Sequence, residues 1–266
     1  MITLIPDAMP ELPVARAAVQ ELGTPRVGRI VLVSMLNHLE LIGRLSGFSW
    51  ARDQGWLTAS DEQVQVAINA KSGGIRYSLR PLAEEPGGNM VSSAARLEEI
   101  AREFLVHLGR PSEPLSLERI THLHAQTSTV DGELSNVATL DAGLIFRRSV
   151  DELPVIGPGG FAMVRIGTDE KVVGGREVCR PIVGRGPMLD LRSPENAIEV
   201  LLERLEARGL DGEVRVRSAL FGYEERGIEE LQRGLEPSYA FQVEKMGEAV
   251  DYKTVEVISA LLPSVA

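Results

Sequence analysis

The chain has 266 residues, 44% hydrophobic and 25% charged, so it is long enough to bury one large core or two smaller ones. Aromatics make up only 5%, so the core must rest on Val, Leu, Ile and Ala. With 28 Lys and Arg against 38 Asp and Glu, the formal net charge is -10, a surface that repels nucleic-acid phosphate and anionic lipid.

The N-terminal "MITLIPDAMPELPVARAAV" has no basic n-region and no long apolar run. It does not read as a signal peptide, and no window approaches the roughly 20 apolar residues of a membrane span. The expectation is a cytoplasmic protein that binds neither membrane nor nucleic acid. "PVARAAVQELG" reads as a short helix. "RVGRIVLVSMLNHLELIGRL" is ambiguous, because Val31 and Val33 favour strand while Leu36, Leu39 and Ile42 favour helix.

"EQVQVAINA" and "GIRYSLRPL", joined by Lys71-Ser72-Gly73-Gly74, read as a hairpin. "SSAARLEEIAREFLVHLGRP" predicts a helix capped by Ser92 or Ser93. Its apolar face is Leu97, Ile100, Ala101, Phe104 and Leu108, and Gly109 and Pro111 end it. The strand-like "ITHLHAQTSTV" and "AGLIFRRSV" follow. A second hairpin, "FAMVRIG" and "KVVGGREVCRPI", turns at Thr168-Asp169-Glu170. "SPENAIEVLLERLEARG" predicts a second helix, with Ser193 as cap, Pro194 at the first position and Ile198, Leu201, Leu202 and Leu205 inward. The strands "EVRVRSALFGY", "SYAFQVEK" and "TVEVISALL" close the chain.

Hairpin, helix and strands thus occur twice, with the capping serines about a hundred residues apart. The predicted fold is α+β: two related halves, each a curved antiparallel sheet packed against one main helix. The halves divide as residues 1–145 and 146–266, an internal duplication. Cys179 is the one cysteine, which excludes an intramolecular disulfide and a CxxC metal site. It reads as a buried apolar thiol.

"DELPVIGPGGFAMVRIGTDEKVVGG", residues 151–175, has glycines in the spacing of a dinucleotide-binding loop. Pro154 and Pro158 remove amide donors, and the alternating "FAMVRIG" reads as strand where a fingerprint needs a helix. The loop is therefore a turn, and neither cofactor nor metal is expected. Over residues 148–175 the pattern resembles PepSY-like and fungalysin/thermolysin-propeptide-like domains. Leu153, Pro154, Val155 and Gly157 match the lead into a strand. Asp169, Val172 and Val173 match a "D-G-x-V" turn, in which Glu170 and Lys171 replace the glycine. The resemblance implies a non-enzymatic regulatory or binding module with no catalytic motif.

Chemistry needs convergent titratable groups. His122 and His124, two apart in a strand, share a face and are candidate acid–base residues, although no third ligand at a metal-site spacing accompanies them. Tyr223 and Glu224 near a strand end are candidates for proton transfer. Asp141, Arg148 and Tyr239 are candidates for substrate binding, with Arg147 and Arg148 pointing to opposite faces. Two functions fit. One is a protein that binds a small molecule or peptide and acts by regulation. The other is a cofactor-independent lyase, isomerase or cyclase acting on a small organic substrate, as in natural-product biosynthesis. A pocket holding at least two of the candidate residues marks the enzyme; an apolar groove without a convergent polar set marks the binding protein. The sequence leaves the oligomeric state open.

Overall fold

The structure is a computed structural model that describes residues 2–6, 9, 12–39, 41–79, 92–108, 115–126, 128, 137–210, 212–245 and 252–262. The first elements are strand β1 (Ile2–Pro6), strand β2 (Arg16–Leu22), helix α1 (Arg29–His38) and a 3₁₀ segment, Ile42–Gly47. Strands β3 (Ser49–Asp53), β4 (Trp56–Ser60), β5 (Gln65–Asn69) and β6 (Ile75–Ser78) form an antiparallel meander. Helix α2 (Ala94–His107) then leads to β7 (Leu115–Ala125), β8 (Ala138–Val150), β9 (Leu153–Ile156), β10 (Phe161–Gly167), β11 (Val172–Val178) and β12 (Ile182–Asp190). Helix α3 (Pro194–Ala207) precedes β13 (Gly212–Glu224), β14 (Gly234–Lys245) and β15 (Tyr252–Ser259).

All fifteen strands join in one sheet, with the order β12-β2-β14-β13-β9-β8-β10-β11-β6-β5-β4-β3; β1 adds to β13, β15 to β14 and β7 to β8. The sheet is mixed: β1 and β9 run parallel to β13, and the other pairs are antiparallel. This overturns the expected α+β fold and its internal duplication. The molecule is mostly β, with three α-helices among the described residues, and it is not two helix-packed halves. The sheet interleaves both ends of the chain. β1 and β2 pair with β13, β14 and β12, while β11 pairs with β6. Apolar periodicity marks which face of an element is buried; it does not identify the partner across a ladder.

Helices α2 and α3 form as their sequences predict. The Ser93 hydroxyl accepts from the Arg96 amide at 3.2 Å and Ser193 from the Asn196 amide at 3.3 Å. Leu97, Ala101 and Leu105 of α2 are buried with α1 residues Leu32 and Leu36 and the sheet residues Val66, Leu144, Phe146 and Val164. Ala197, Leu201 and Leu205 of α3 pack on Val216, Phe221, Tyr239, Phe241 and Ile258. Each fully buried Leu contributes about 1.5–3 kcal/mol relative to an exposed one. Gly109 and Pro111, the expected end of α2, lie outside the described residues.

The ambiguous segment is helical as α1, but the predicted N-terminal helix is strand β2. Ala17 and Ala18 are buried there, and Gln20 is buried with its amide donating to Asp151 and to the Tyr223 hydroxyl. The ladder with β12 outweighs the weak helical preference of this segment. Among the described residues no helix is long and apolar enough to cross a membrane.

Candidate functional site

From Leu144 to Val150, β8 alternates buried and half-buried residues. Leu144, Phe146 and Arg148 face inward, whereas Ile145 and Arg147 lie on the opposite face. Across the ladder on that outer face, Arg147 stands opposite Phe161 of β10, and the guanidiniums of Arg147 and Arg176 lie 5.6 and 4.9 Å from the Phe161 ring centre. Arg176 of β11 pairs in register with Arg76 of β6, whose guanidinium sits 4.0 Å from the Trp56 ring centre. Arginines thus stack on aromatic rings along one sheet face, with Arg176 and Arg76 side by side between the Phe161 and Trp56 rings, each stack in the range of a favourable cation–π contact. A cleft of about 340 Å³ opens here, lined by Arg119, Ile145, Arg147, Phe161, Arg176 and Ile228, with Pro158 as its wall.

A second groove of about 590 Å³ continues past Arg147 and Pro158, which line both. Its floor is Ile156 of β9, Leu220 of β13, Ala240 of β14 and Val255 and Val257 of β15. Leu220, Ala240 and Val257 stand side by side on three adjacent strands. Leu220 is 50% exposed and Val255 61% exposed. The inner face of these strands is covered by α3, and the outer face is open.

The wall is held in place by a buried ion network that sequence reading did not find. Arg148 and Glu225 have fully buried side chains, and Arg180 is buried beside them. The Arg148 guanidinium donates to the Glu225 carboxylate at 3.3 Å and to the Arg180 carbonyl at 2.8 Å. Glu225 also accepts from the Arg180 amide at 2.8 Å and from its guanidinium at 3.3 Å. Burial pushes the Glu225 carboxyl up and the Arg180 guanidinium down, while their mutual attraction opposes both shifts. Arg180 further donates to the carbonyls of Arg226, Gly227 and Glu230 at 2.7–2.9 Å, which fixes the loop bearing Ile228.

The glycine loop closes over this network. The Gly159 amide donates to the Glu225 carbonyl at 2.8 Å, and the Glu225 amide to the Ile156 carbonyl at 2.9 Å. A side chain at Gly159 would overlap the Arg226 carbonyl oxygen, and Gly160 has φ +66°. Arg147 ties the loop from outside, donating to the Gly157 and Gly159 carbonyls at 3.2 and 3.0 Å while pairing with Glu118 at 2.7 Å. The segment is thus a turn that enters strand β10, with the Gly159 and Gly160 amides and the Gly157, Gly159 and Gly160 carbonyls bonded to the protein itself.

The predicted site residues are scattered. His122 and His124 are exposed on β7, their ring centres 6.2 Å apart, and His124 lies 3.3 Å from the Thr139 hydroxyl. Among the described residues no group of three His, Cys, Asp or Glu is placed to hold a metal. Tyr223 and Glu224 are successive in β13 and point to opposite faces. The Tyr223 phenol is pushed up by burial, donates to the Ala18 carbonyl at 3.0 Å and accepts from Gln20. Half-buried Glu224 is also pushed up, by burial and by neighbouring Glu236 and Glu230. Tyr239 is core: its phenol, pushed up to about 12 by burial, donates to the Arg192 carbonyl at 2.6 Å. Asp141 is buried in an ion pair with Arg165. It lies seven residues from Arg148 along β8, about 24 Å away.

None of these seven residues lines the two grooves. Arg148, expected to bind substrate, lies inside the strand's buried face, and its neighbour Arg147 lines both grooves. Phe161, Arg176 and Arg119 carried no local signal. A wider cleft of about 800 Å³ lies between α1 and residues 179–183, lined by Arg26, His38 and Cys179 among others. Cys179 is half-buried there, where a buried thiol was expected.

No family model matches the chain, and no curated protein matches it. Among solved structures, an uncharacterized protein from Eubacterium rectale ATCC 33656 is similar with a TM-score of 0.58 at 10% identity, covering 98% of this chain and 88% of that one. The likeness shows a shared fold and nothing about activity. The C-terminal domain of Bacillus megaterium YpeB is a weak match, with a TM-score of 0.36 at 11% identity over 89% of this chain and 100% of that one.

Proposed function

We propose that this protein is a non-catalytic binding and regulatory protein whose ligand, a small molecule or peptide, lies in the outer-face groove. The observation that carries this reading is the continuity of an apolar groove floor, the exposed Leu220 with half-buried Ala240 and Val257 beside buried Ile156, with the arginine–aromatic cluster of Arg147, Phe161 and Arg176. Such a surface suits a ligand with an apolar body and an anionic end. The scatter of titratable groups supports the same reading, because catalysis by proton transfer needs an acid and a base within reach of one substrate. It agrees with what the PepSY-like pattern of residues 148–175 implies, a module that regulates or binds.

The test is ligand-dependent stabilisation. Alkyl carboxylates and acidic peptides are screened by thermal denaturation of the wild-type chain and of Leu220→Asp. A ligand at about 100 times its Kd raises stability by about 2.7 kcal/mol. A rise in Tm with the wild type that is abolished by the substitution supports the groove. A flat response, or a rise that survives in Leu220→Asp, refutes it.

A further inference from the structure

We infer that the occupant of the groove is an acidic, amphipathic segment of a partner protein; this rests on the binding reading above and specifies its ligand. Three observations point to it. The first is openness. Small-ligand sites bury most of their ligand, whereas Leu220 and Val255 stand half or more exposed on a sheet face that no described residue walls off on the β15 side. Open apolar faces rimmed by polar groups are the usual ground for protein contacts.

The second is extent. The apolar floor crosses β9, β13, β14 and β15, and the cationic band crosses β8, β10, β11 and β6. At the spacing of neighbouring strands each spans about 14 Å. Joined at Arg147 and Pro158, they outreach a drug-sized molecule.

The third is charge. The chain carries a net charge of -10, yet this face gathers Arg76, Arg119, Arg147 and Arg176. Among the described residues, only Arg147 of the four has a carboxylate partner, Glu118. The nearby acidic side chains of the 226–233 loop are engaged: Glu229 accepts from the Trp56 indole and Glu230 from the Gly227 amide. Arginine and aromatic residues beside an apolar floor are the composition of interface hot spots, and the complement of arginines is carboxylate. A segment with leucine-like residues on one face and Asp or Glu on its flank satisfies both halves of the surface.

The experiment uses the full chain with methyl-labelled Leu and Val and follows the signals of Leu220, Val255 and Val257 by NMR. Three probes are titrated: a synthetic helical peptide of about 18 residues with Leu on one face and Glu on the other, its Lys-for-Glu twin, and dodecanoate. The inference expects saturable shifts with the acidic peptide only. It expects binding at least about tenfold weaker in Arg119→Ala/Arg176→Ala, with unchanged Tm, and weaker again as salt rises from about 0.05 to 0.5 M. Shifts with dodecanoate but not the peptide overturn the protein-partner inference and leave the binding reading standing. Equal binding of the Lys twin overturns the charge argument. No shift with any probe overturns both readings.

Discussion

Two residues between β8 and β9 show how this chain tolerates local strain. Asp151 and Glu152 have φ values of +50° and +65°, a conformation that Asn-Gly usually occupies in a two-residue hairpin turn. Asp151 is held there by Gln20 and Arg185, at 3.0 and 3.1 Å, whereas Glu152 is exposed. Replacing Glu152 by Gly should stabilise the fold by about 0.5–1 kcal/mol, since the left-handed geometry costs an L-residue roughly 1–2 kcal/mol and glycine's greater unfolded-state entropy offsets part of the gain. Thermal denaturation should show Tm rising by about 2–4 °C per kcal/mol; a fall would mean that Glu152 makes a stabilising contact. Glu244 gives a pH dependence at the same scale. Its carboxylate meets Lys253 at 2.8 Å and Arg217 at 2.6 Å, which lower its pKa to about 2. A folded pKa below the unfolded value means stability that is full above the unfolded value and lost as pH falls toward 2. The gap in urea midpoint between wild type and Glu244→Gln should therefore narrow between about pH 6 and pH 2.5. A gap that stays constant would rule out this linkage.

At the scale of elements, the Arg148–Glu225–Arg180 network fastens β8, the β9–β10 glycine turn and the 226–230 loop to one another. Removing one member of a buried ion network leaves charge without compensation, at a cost of about 3–5 kcal/mol. Glu225→Gln should lower stability by that amount in urea denaturation, and a loss under about 1 kcal/mol would show the network to be neutral. Helices α2 and α3 and the β5–β6 and β10–β11 hairpins are legible in the sequence because their signals are local, whereas the β3–β4 hairpin and the strand character of β2 are not. Ser93 and Ser193 cap, Gly73 turns at φ +69°, and Leu97, Ala101 and Leu108, all buried, recur on the expected apolar face of α2. Sheet order was not legible, since β1 meets β13 and β2 meets β14 across some two hundred residues, and no short window encodes such pairing. The candidate site was hidden for a related reason. Whether Arg147 or Arg148 faces outward depends on which side of β8 the helices cover, and that is decided by packing.

For the whole molecule, one sheet with uneven cover explains both stability and the location of the site. Helices α1 and α2 cover one part of it and α3 another, while the outer face across β13, β14 and β15 keeps apolar side chains such as Leu220 and Val255 in solvent. That face meets the arginine–aromatic band at a rim fixed by the buried network, so the surface is organised before any ligand arrives. Preorganisation of this kind lowers the entropic cost of binding. The central claim is that this face is where the protein binds, and thermal denaturation of wild type against Leu220→Asp with alkyl carboxylates and acidic peptides tests it most directly. The account predicts a concentration-dependent rise in Tm for wild type that disappears in the substituted protein. An identical rise in both, or none in either, contradicts it.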